Sequence, residues 1–142
     1  MRVVNGLIQS TIGFTCSCFD LLHAGHILML ADAKRHCNKL IVGLQTDPTI
    51  DRPDTKNKPI QSLEERRIQL EAIKYVDEIH TYDSEKDLYE LLKKLNPDVR
   101  ILGSDYIGKS FTGDTLNIKI YYHERNHNYS STNLRKKLLE NI

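Results

Sequence analysis

The strongest constraint on the fold is the alternation of apolar runs with helical stretches along the 142-residue chain. Runs typical of strands cover residues 11–19, 39–46, 78–83, 99–103 and 118–123. Helical patterns separate most of these runs, and one follows the last of them. A chain of this kind is expected to form a doubly wound parallel sheet with helices on both faces. We therefore predict an α/β fold whose ligands bind beyond the carboxyl ends of the strands.

Capping residues and helical spacing locate the predicted helices. They cover residues 25–36, 63–75, 85–96 and 131–140. Ser62 and Glu65 have capping-box spacing, Ser84 precedes the third helix, and Pro97 ends it. Two polar segments, residues 47–62 and 104–117, lack periodicity and are predicted to be loops.

Composition limits the classes of partner. Twenty Lys and Arg residues stand against 19 Asp and Glu, so a net charge of +1 provides no field for a polyanion. Cys16, Cys18 and Cys37 are few and odd in number, which favours free thiols in a reducing compartment. The chain has no leader-like start and no apolar run long enough to span a bilayer. We expect a cytoplasmic protein with no nucleic-acid or membrane partner.

The segment "FDLLHAGH", residues 19–26, places two imidazoles where the first strand leads into the first helix. Free N–H groups and the positive end of the helix dipole make such a place suitable for an anion. Gly25 removes a side chain where a phosphate must approach the backbone, and His23 and His26 can donate hydrogen bonds to it. Two alternatives are a purely structural role and a zinc pair, although this spacing supplies only two ligands.

Four stretches in order resemble the H-x-G-H nucleotidyltransferase superfamily, and within it the small bacterial cytidylyltransferases typified by glycerol-3-phosphate cytidylyltransferase. They are "FDLLHAGH", "SLEERRIQLEAIKYVDEI", "LGSDYIGK" and "ERNHNYSST", and the likeness runs over residues 12–139. The resemblance implies a Rossmann-like five-stranded sheet in the order 3-2-1-4-5 and, from "YVDE", a homodimer. We expect one nucleotidyltransferase domain over residues 1–142, with residues 1–10 as an extension of unknown role.

The same resemblance implies the site residues. The catalytic set is His23, His26, Lys58 and Arg125. The nucleotide-binding set is Phe19, Asp20, Gly25, Lys56, Arg66, Gly103, Asp105, Ser130, Ser131 and Thr132. Of the two loop lysines, Lys58 is preferred over Lys56. Asp20 is a candidate to hold a metal-bound water, to orient His23 or to cap the turn.

The activity that the resemblance implies is the Mg²⁺-dependent transfer of CMP from CTP to a small phosphomonoester. Glycerol 3-phosphate is the first acceptor expected, pyrophosphate is released, and the phosphates themselves hold most of the magnesium. One alternative is an adenylyltransferase acting on ATP and a sugar phosphate, because the similar enzymes of that kind also have Cys-Phe-Asp at Cys18, Phe19 and Asp20. Another is a non-catalytic nucleotide-binding regulator. It is suggested by Ser17 and by His127 and Asn128 in "ERNHNYSST", residues 124–132, which we call the late motif.

Overall fold

The computed structural model describes residues 2–4 and 7–141. Near the amino terminus, β1 (Arg2–Val4) pairs antiparallel with β2 (Leu7–Gln9) in a two-stranded sheet of its own. This pair lies in the segment expected as an extension, of which residues 1, 5 and 6 lie outside the described part.

The main sheet has five parallel strands. They are β3 (Ile12–Ser17), β4 (Lys39–Gln45), β5 (Glu78–Tyr82), β6 (Val99–Gly103) and β7 (Lys119–His123). Their order is β5-β4-β3-β6-β7, and every pairing is parallel. Renumbered within the sheet, this is 3-2-1-4-5, so the predicted Rossmann-like topology is confirmed.

Four helices connect or follow these strands. They are α1 (Ala24–Arg35), α2 (Leu63–Glu71), α3 (Glu85–Leu95) and α4 (Ser131–Glu140). Helix α2 is shorter than predicted, because the N–H groups of Ala72 and Ile73 bond to carbonyls three residues back and close the helix. The loop between β6 and β7 contains one 3₁₀ turn, Ser104–Tyr106.

Serine side chains begin three of the helices. The hydroxyl oxygens of Ser62, Ser84 and Ser130 accept hydrogen bonds from N–H groups in the first turns of α2, α3 and α4. Glu65 returns the bond to the Ser62 N–H, which completes the predicted capping box. These caps satisfy N–H groups that would otherwise lack partners.

Apolar side chains cover both faces of the sheet. On one face, Leu40 and Val42 of β4 pack with Leu30 of α1 and Leu70 of α2. On the other face, the cluster consists of side chains from β3, β4, β5 and α3: Phe14, Ile41, Tyr82, Leu88 and Leu92. Burial on both sides explains why β4 reads as a nearly continuous apolar run.

The order of the strands positions the functional site. The chain leaves β3 toward β4 on one side, and β6 later pairs with the other side of β3. In such sheets the crevice at the reversal point, beyond the carboxyl ends of the strands, is where ligands bind. The β3–α1 turn, which contains the two-histidine motif, lies at this edge. Among the described residues, no helix has the length and apolarity required to cross a membrane.

Candidate active site

A cleft of about 620 Å³ opens at the carboxyl edge of the sheet, within the size range of small-molecule sites. Its walls include most of the predicted site residues: Asp20, His23, Gly25, His26, Lys56, Gly103, Asp105, Arg125, Ser130, Ser131 and Thr132. Three others, Phe19, Lys58 and Arg66, lie outside this lining. The fold thus brings together the first and last motifs of the chain.

The two histidines of the first motif cap the amino terminus of α1 for each other. Nδ1 of His23 accepts the Gly25 N–H at 3.0 Å, and Nδ1 of His26 accepts the His23 N–H at 3.2 Å. Their rings stack with centroids 3.8 Å apart. Because Nδ1 is an acceptor in both neutral rings, the proton lies on Nε2. Each histidine therefore retains one N–H donor.

The environment keeps both imidazoles neutral. Burial lowers the pKa of His26 to about 3, and repulsion from a protonated His23 and from Arg125 acts in the same direction. Burial also lowers the pKa of His23, with further contributions from Arg125 and His127. At neutral pH the pair can donate hydrogen bonds without carrying a charge.

Gly25 has a packing role that its sequence does not reveal. A Cβ at this position would lie 2.8 Å from Cε1 of His23 and 2.9 Å from Cε1 of His127. The missing side chain therefore makes room for two imidazole rings, whereas the sequence predicted room for a phosphate. The approach of a phosphate to this backbone stays a prediction.

His127 is a third imidazole in the cleft wall that was not predicted as a site residue. Its Nδ1 accepts the Tyr129 N–H at 3.1 Å, and its Nε2 is buried without a hydrogen-bond partner in the structure. The sequence signal for His127 is its position inside the late motif, where it departs from the family pattern.

The late motif meets the first motif directly. The Ser131 hydroxyl donates to the Leu21 carbonyl at 3.3 Å, which ties the start of α4 to the turn before α1. Arg125 donates to the Tyr129 carbonyl at 3.0 Å and lines the cleft. Two helix amino termini with their free N–H groups thus lie at one cleft, the arrangement expected of two phosphate-binding elements.

Asp20 anchors the chain and does not fit the candidate role of holding a metal-bound water. Its oxygens accept the Ile60 and Gln61 N–H groups at 2.9 Å and the Arg135 guanidinium at 3.2 Å, and its side chain is 2% exposed. Both oxygens therefore already have partners in the protein. Within residues 2–4 and 7–141, no group of three or more metal-ligating side chains is present.

Arg66 lies elsewhere than the resemblance implies. Its side chain is buried, and its guanidinium donates to the carbonyls of residues 18, 45, 46, 61 and 62. These carbonyls lie at the ends of β3 and β4 and at the start of α2. Arg66 therefore joins three segments below the cleft and makes no contribution to its lining.

Two further predictions are revised by the structure. Lys56 lines the cleft, whereas the preferred Lys58 has an 81% exposed side chain whose Nζ lies 3.5 Å from Asp47. Phe19 is buried, and its ring packs against the His26 ring with centroids 5.1 Å apart. This contact helps to hold the His26 ring in position. The backbone of Phe19 is left-handed, with φ +53°. This conformation is unfavourable for a residue with a bulky side chain, and residues in such conformations cluster at functional turns.

Gly103 and Asp105 form the wall at the end of β6. The Asp105 carboxylate folds over Gly103, where a Cβ would lie 2.5 Å from Oδ1. Gly103 pairs in register with His123 of β7, whose Nδ1 lies 2.8 Å from the Asp32 carboxylate. His123 lines the cleft and, like Arg135, was not predicted from the sequence.

Residues 14–137 match the family model described as cytidylyltransferase-like. The chain belongs to the cytidylyltransferase-like family. This assignment places it in the nucleotidyltransferase superfamily, as the four motifs implied.

Two curated relatives of this cytidylyltransferase-like chain are named "Bifunctional protein HldE". The protein from Caulobacter vibrioides is 36% identical over 127 residues, which cover 87% of this chain and 26% of the relative. The protein from Wolinella succinogenes is 42% identical over 105 residues, covering 74% of this chain and 22% of the relative. The chain thus spans about a quarter of the length of these relatives.

Solved structures have the same fold. The lipopolysaccharide core biosynthesis protein from Thermoplasma volcanium superimposes with a TM-score of 0.66 and 26% identity, covering 86% of this chain and all of that protein. The pantoate-beta-alanine ligase from Francisella tularensis superimposes with a TM-score of 0.63 and 23% identity, covering 92% of this chain and 67% of that protein. The second likeness is one of fold alone.

Proposed function

We propose that the chain transfers a nucleoside monophosphate from a nucleoside triphosphate to a small phosphomonoester, with ATP and a sugar phosphate as the preferred pair. The observation that carries the proposal is the pair of neutral histidines, each with a free Nε2–H, at one of two helix amino termini that share a cleft. This arrangement suits a phosphate whose negative charge grows during transfer.

The proposed reaction is a direct displacement. An oxygen of the acceptor's phosphate attacks the α-phosphorus, the bond between that phosphorus and the bridging oxygen breaks, and pyrophosphate leaves. His23 and His26 donate hydrogen bonds to the oxygens on which charge accumulates, while Arg125 and the start of α4 hold the triphosphate. The histidines move no proton, because both remain neutral donors throughout.

We propose that the expected magnesium ion arrives with the triphosphate. Asp20 does not fit as its ligand, since two backbone N–H groups and Arg135 already engage its carboxylate. Lys56 lies in the cleft lining. We propose that it contacts the phosphates, the role that the resemblance implies first for Lys58.

The choice of ATP with a sugar phosphate has two supports. The sequence Cys18, Phe19 and Asp20 resembles the adenylyltransferases that activate sugar phosphates. The similarity to the HldE proteins supports ATP with a sugar phosphate at least as strongly as it supports CTP with an alcohol phosphate.

We also propose that the chain forms the homodimer that the "YVDE" stretch implies. A solution mass equal to one chain would contradict the homodimer.

Pyrophosphate release tests the proposal. The purified chain is assayed with ATP and with CTP, each paired with sugar phosphates, glycerol 3-phosphate and choline phosphate in the presence of Mg²⁺. We expect the highest kcat/KM with ATP and a sugar phosphate, and a loss of at least about 100-fold in His23→Ala and His26→Ala. His80→Ala, which removes an imidazole from β5 outside the cleft, is the matched control.

Two results would contradict the proposal. No pyrophosphate from any pair excludes the transfer reaction, and tight ATP binding without product would instead support a non-catalytic regulator. Preference for CTP over ATP would restore the cytidylyltransferase assignment for the substrate while leaving the reaction unchanged.

A further inference from the structure

The cleft extends from the two histidines, near α1, to the face of the sheet that α3 covers. The proposed mechanism uses none of the side chains at this second end of the cleft. Ile101 of β6 packs into the core beneath α1 and α2, while its neighbour Arg100 bonds to Thr112 in the loop on the α3 face. Side chains from β3, β5, β6, α3 and the 107–118 loop line this end of the cleft: Cys16, Tyr82, Glu85, Arg100, Phe111 and Thr112. We call these six residues the α3 pocket.

Arg100 is a buried cation without a carboxylate partner. It is 3% exposed, and among the residues that the structure describes no acidic side chain lies within 4.0 Å of its guanidinium. The guanidinium donates to the Thr112 carbonyl, lies 5.2 Å above the Phe111 ring, and approaches the Cys16 thiol only at 4.0 Å. Its Nε has no hydrogen-bond partner. Burying such a group is costly unless something compensates its donors.

A hydrogen-bond acceptor lies at the same end of the cleft. Glu85, the first residue of α3, accepts the Thr112 hydroxyl on Oε2 at 2.6 Å, and its Oε1 lies 3.9 Å from Arg52. Thr112 therefore links the two charged residues, bonding Glu85 through its hydroxyl and Arg100 through its carbonyl. The α3 pocket thus combines fixed donors, a fixed acceptor and the aromatic ring of Phe111.

Groups that both accept and donate satisfy such a pocket best. A hydroxyl oxygen can accept from a guanidinium while its proton is donated to a carboxylate, so neighbouring hydroxyls on one ring can engage both residues. A ligand ending in a cationic group would meet the unpaired charge of Arg100, and an anionic end would meet Glu85. A short alcohol phosphate has few hydroxyls to offer.

We propose that the α3 pocket binds the hydroxylated ring of the acceptor, with Arg100 donating to its hydroxyl oxygens and Glu85 accepting from its hydroxyl groups. The assignment rests on the proposed function and names the part of the protein that distinguishes a sugar phosphate from other phosphomonoesters. Arg100 and Glu85 are therefore specificity residues for the acceptor, separate from the histidines that act on the transferring phosphate.

The test measures substrate constants for each partner separately. Wild type, Arg100→Met, Glu85→Gln and the control Arg67→Met, which removes a partly exposed arginine of α2 outside the cleft, are assayed with ATP and hexose 1-phosphates. We expect the KM for the sugar phosphate to rise at least about tenfold in both pocket variants, with the KM for ATP unchanged within about twofold. Arg67→Met should match wild type.

Deoxy sugar phosphates sharpen the assignment. Removing the hydroxyl that Arg100 contacts should raise the KM of the wild type and have little further effect in Arg100→Met, because the same interaction is already lost. Thermal unfolding of each variant checks the fold. If Arg100→Met unfolds, Glu85→Gln carries the test, since glutamine retains an oxygen that can accept from Thr112.

The outcomes separate this inference from the proposed function. An unchanged sugar-phosphate KM in folded pocket variants, or a parallel rise in the KM for ATP, overturns the inference while the transfer reaction stands. A wild type that acts on glycerol 3-phosphate but on no sugar phosphate overturns it as well. Failure of the wild type to release pyrophosphate from any pair overturns the proposed function, and this inference with it.

Discussion

Two histidine side chains begin α1 by capping each other's backbone, an arrangement in which the functional residues are also the helix cap. The reciprocal bonds use Nδ1 of both rings and leave Nε2 for a ligand. A serine cap would satisfy the same N–H groups, but it would place no rigid donor over the helix terminus. The residues of the motif are therefore constrained by local structure and by chemistry at once.

Neutral His26 makes stability depend on pH. Its pKa is about 3 when folded and near 6.5 when unfolded. Between these values the unfolded chain binds a proton that the folded chain excludes, so the free energy of unfolding falls as the pH is lowered. We expect His26→Asn to reduce this slope by about 1.4 kcal/mol per pH unit between about pH 4 and pH 6, measured by urea unfolding.

The carboxylates titrate in the same range, so the comparison with wild type isolates the histidine. His80→Asn serves as the control for the loss of an imidazole. A slope identical in wild type and His26→Asn would show that the folded protein protonates His26 as readily as the unfolded chain does.

Gly25 should be intolerant of even one methyl group. An alanine Cβ would come within 3.0 Å of both the His23 and the His127 ring, so at least one ring must move. We expect pyrophosphate release in Gly25→Ala to fall on the order of 100-fold, with little change in unfolding temperature.

His127→Ala removes one of the two rings that obstruct this methyl group. The double variant Gly25→Ala with His127→Ala should therefore be more active than the two single losses predict. Losses that simply multiply would mean that the two positions act independently and that the packing explanation is wrong.

At the scale of elements, buried polar side chains join segments that strand pairing alone does not connect. Arg66 ties the start of α2 to the ends of β3 and β4, and Asp20 ties the β3–α1 turn to the residues before α2 and to Arg135 of α4. Each contact holds part of the cleft rim in place. The rim therefore depends in part on Arg66, which does not itself line the ligand space.

Arg66→Met should destabilise the whole fold. Five backbone carbonyls would lose a charged donor at part-buried positions. We expect the free energy of unfolding to fall by about 3 kcal/mol or more in urea titrations. The neighbouring Arg67→Met should cost less than about 0.5 kcal/mol, because Arg67 is partly exposed and its ion pair with Glu71, at 4.0 Å, is open to water.

The nucleotide contact implied by resemblance gives a different result. If Arg66 bound the nucleotide directly, Arg66→Met would keep wild-type stability and raise the KM of the triphosphate. The two explanations are thus separated by unfolding and kinetics on the same pair of variants.

For the whole molecule, magnesium should matter to turnover and not to the fold. Asp20, the candidate to hold a metal-bound water, already bonds to Ile60, Gln61 and Arg135. We expect EDTA to abolish pyrophosphate release, excess Mg²⁺ to restore it, and neither to shift the thermal unfolding of the ligand-free protein. A lower unfolding temperature in EDTA would reveal a resident metal ion.

Much of the fold was predictable because it depends on local patterns. Serine caps, Pro97 and apolar periodicity predicted the helices, apolar runs predicted the five strands, and the family resemblance implied the order that the sheet has. The end of α2 was not predicted, since "AIKYV" continues a helical pattern that turns interrupt after Glu71. The end of a helix depends on which backbone hydrogen bonds form there, and residue type alone does not determine these bonds.

By itself, the sequence indicated a nucleotidyltransferase and located the elements that we propose bind phosphate: His23 and His26 at a strand-to-helix turn, and a serine-capped helix with an arginine before it. Only the tertiary structure decided which other side chains share that cleft. Arg66 lies in the interior, Lys56 lines the cleft whereas Lys58 does not, and His127 and Arg100 form part of the walls. The physical reason is that the residues of a motif are adjacent along the chain and can be recognised in the sequence. The partners of a buried charged side chain come from segments that are far apart in sequence, and only the folded chain brings them together.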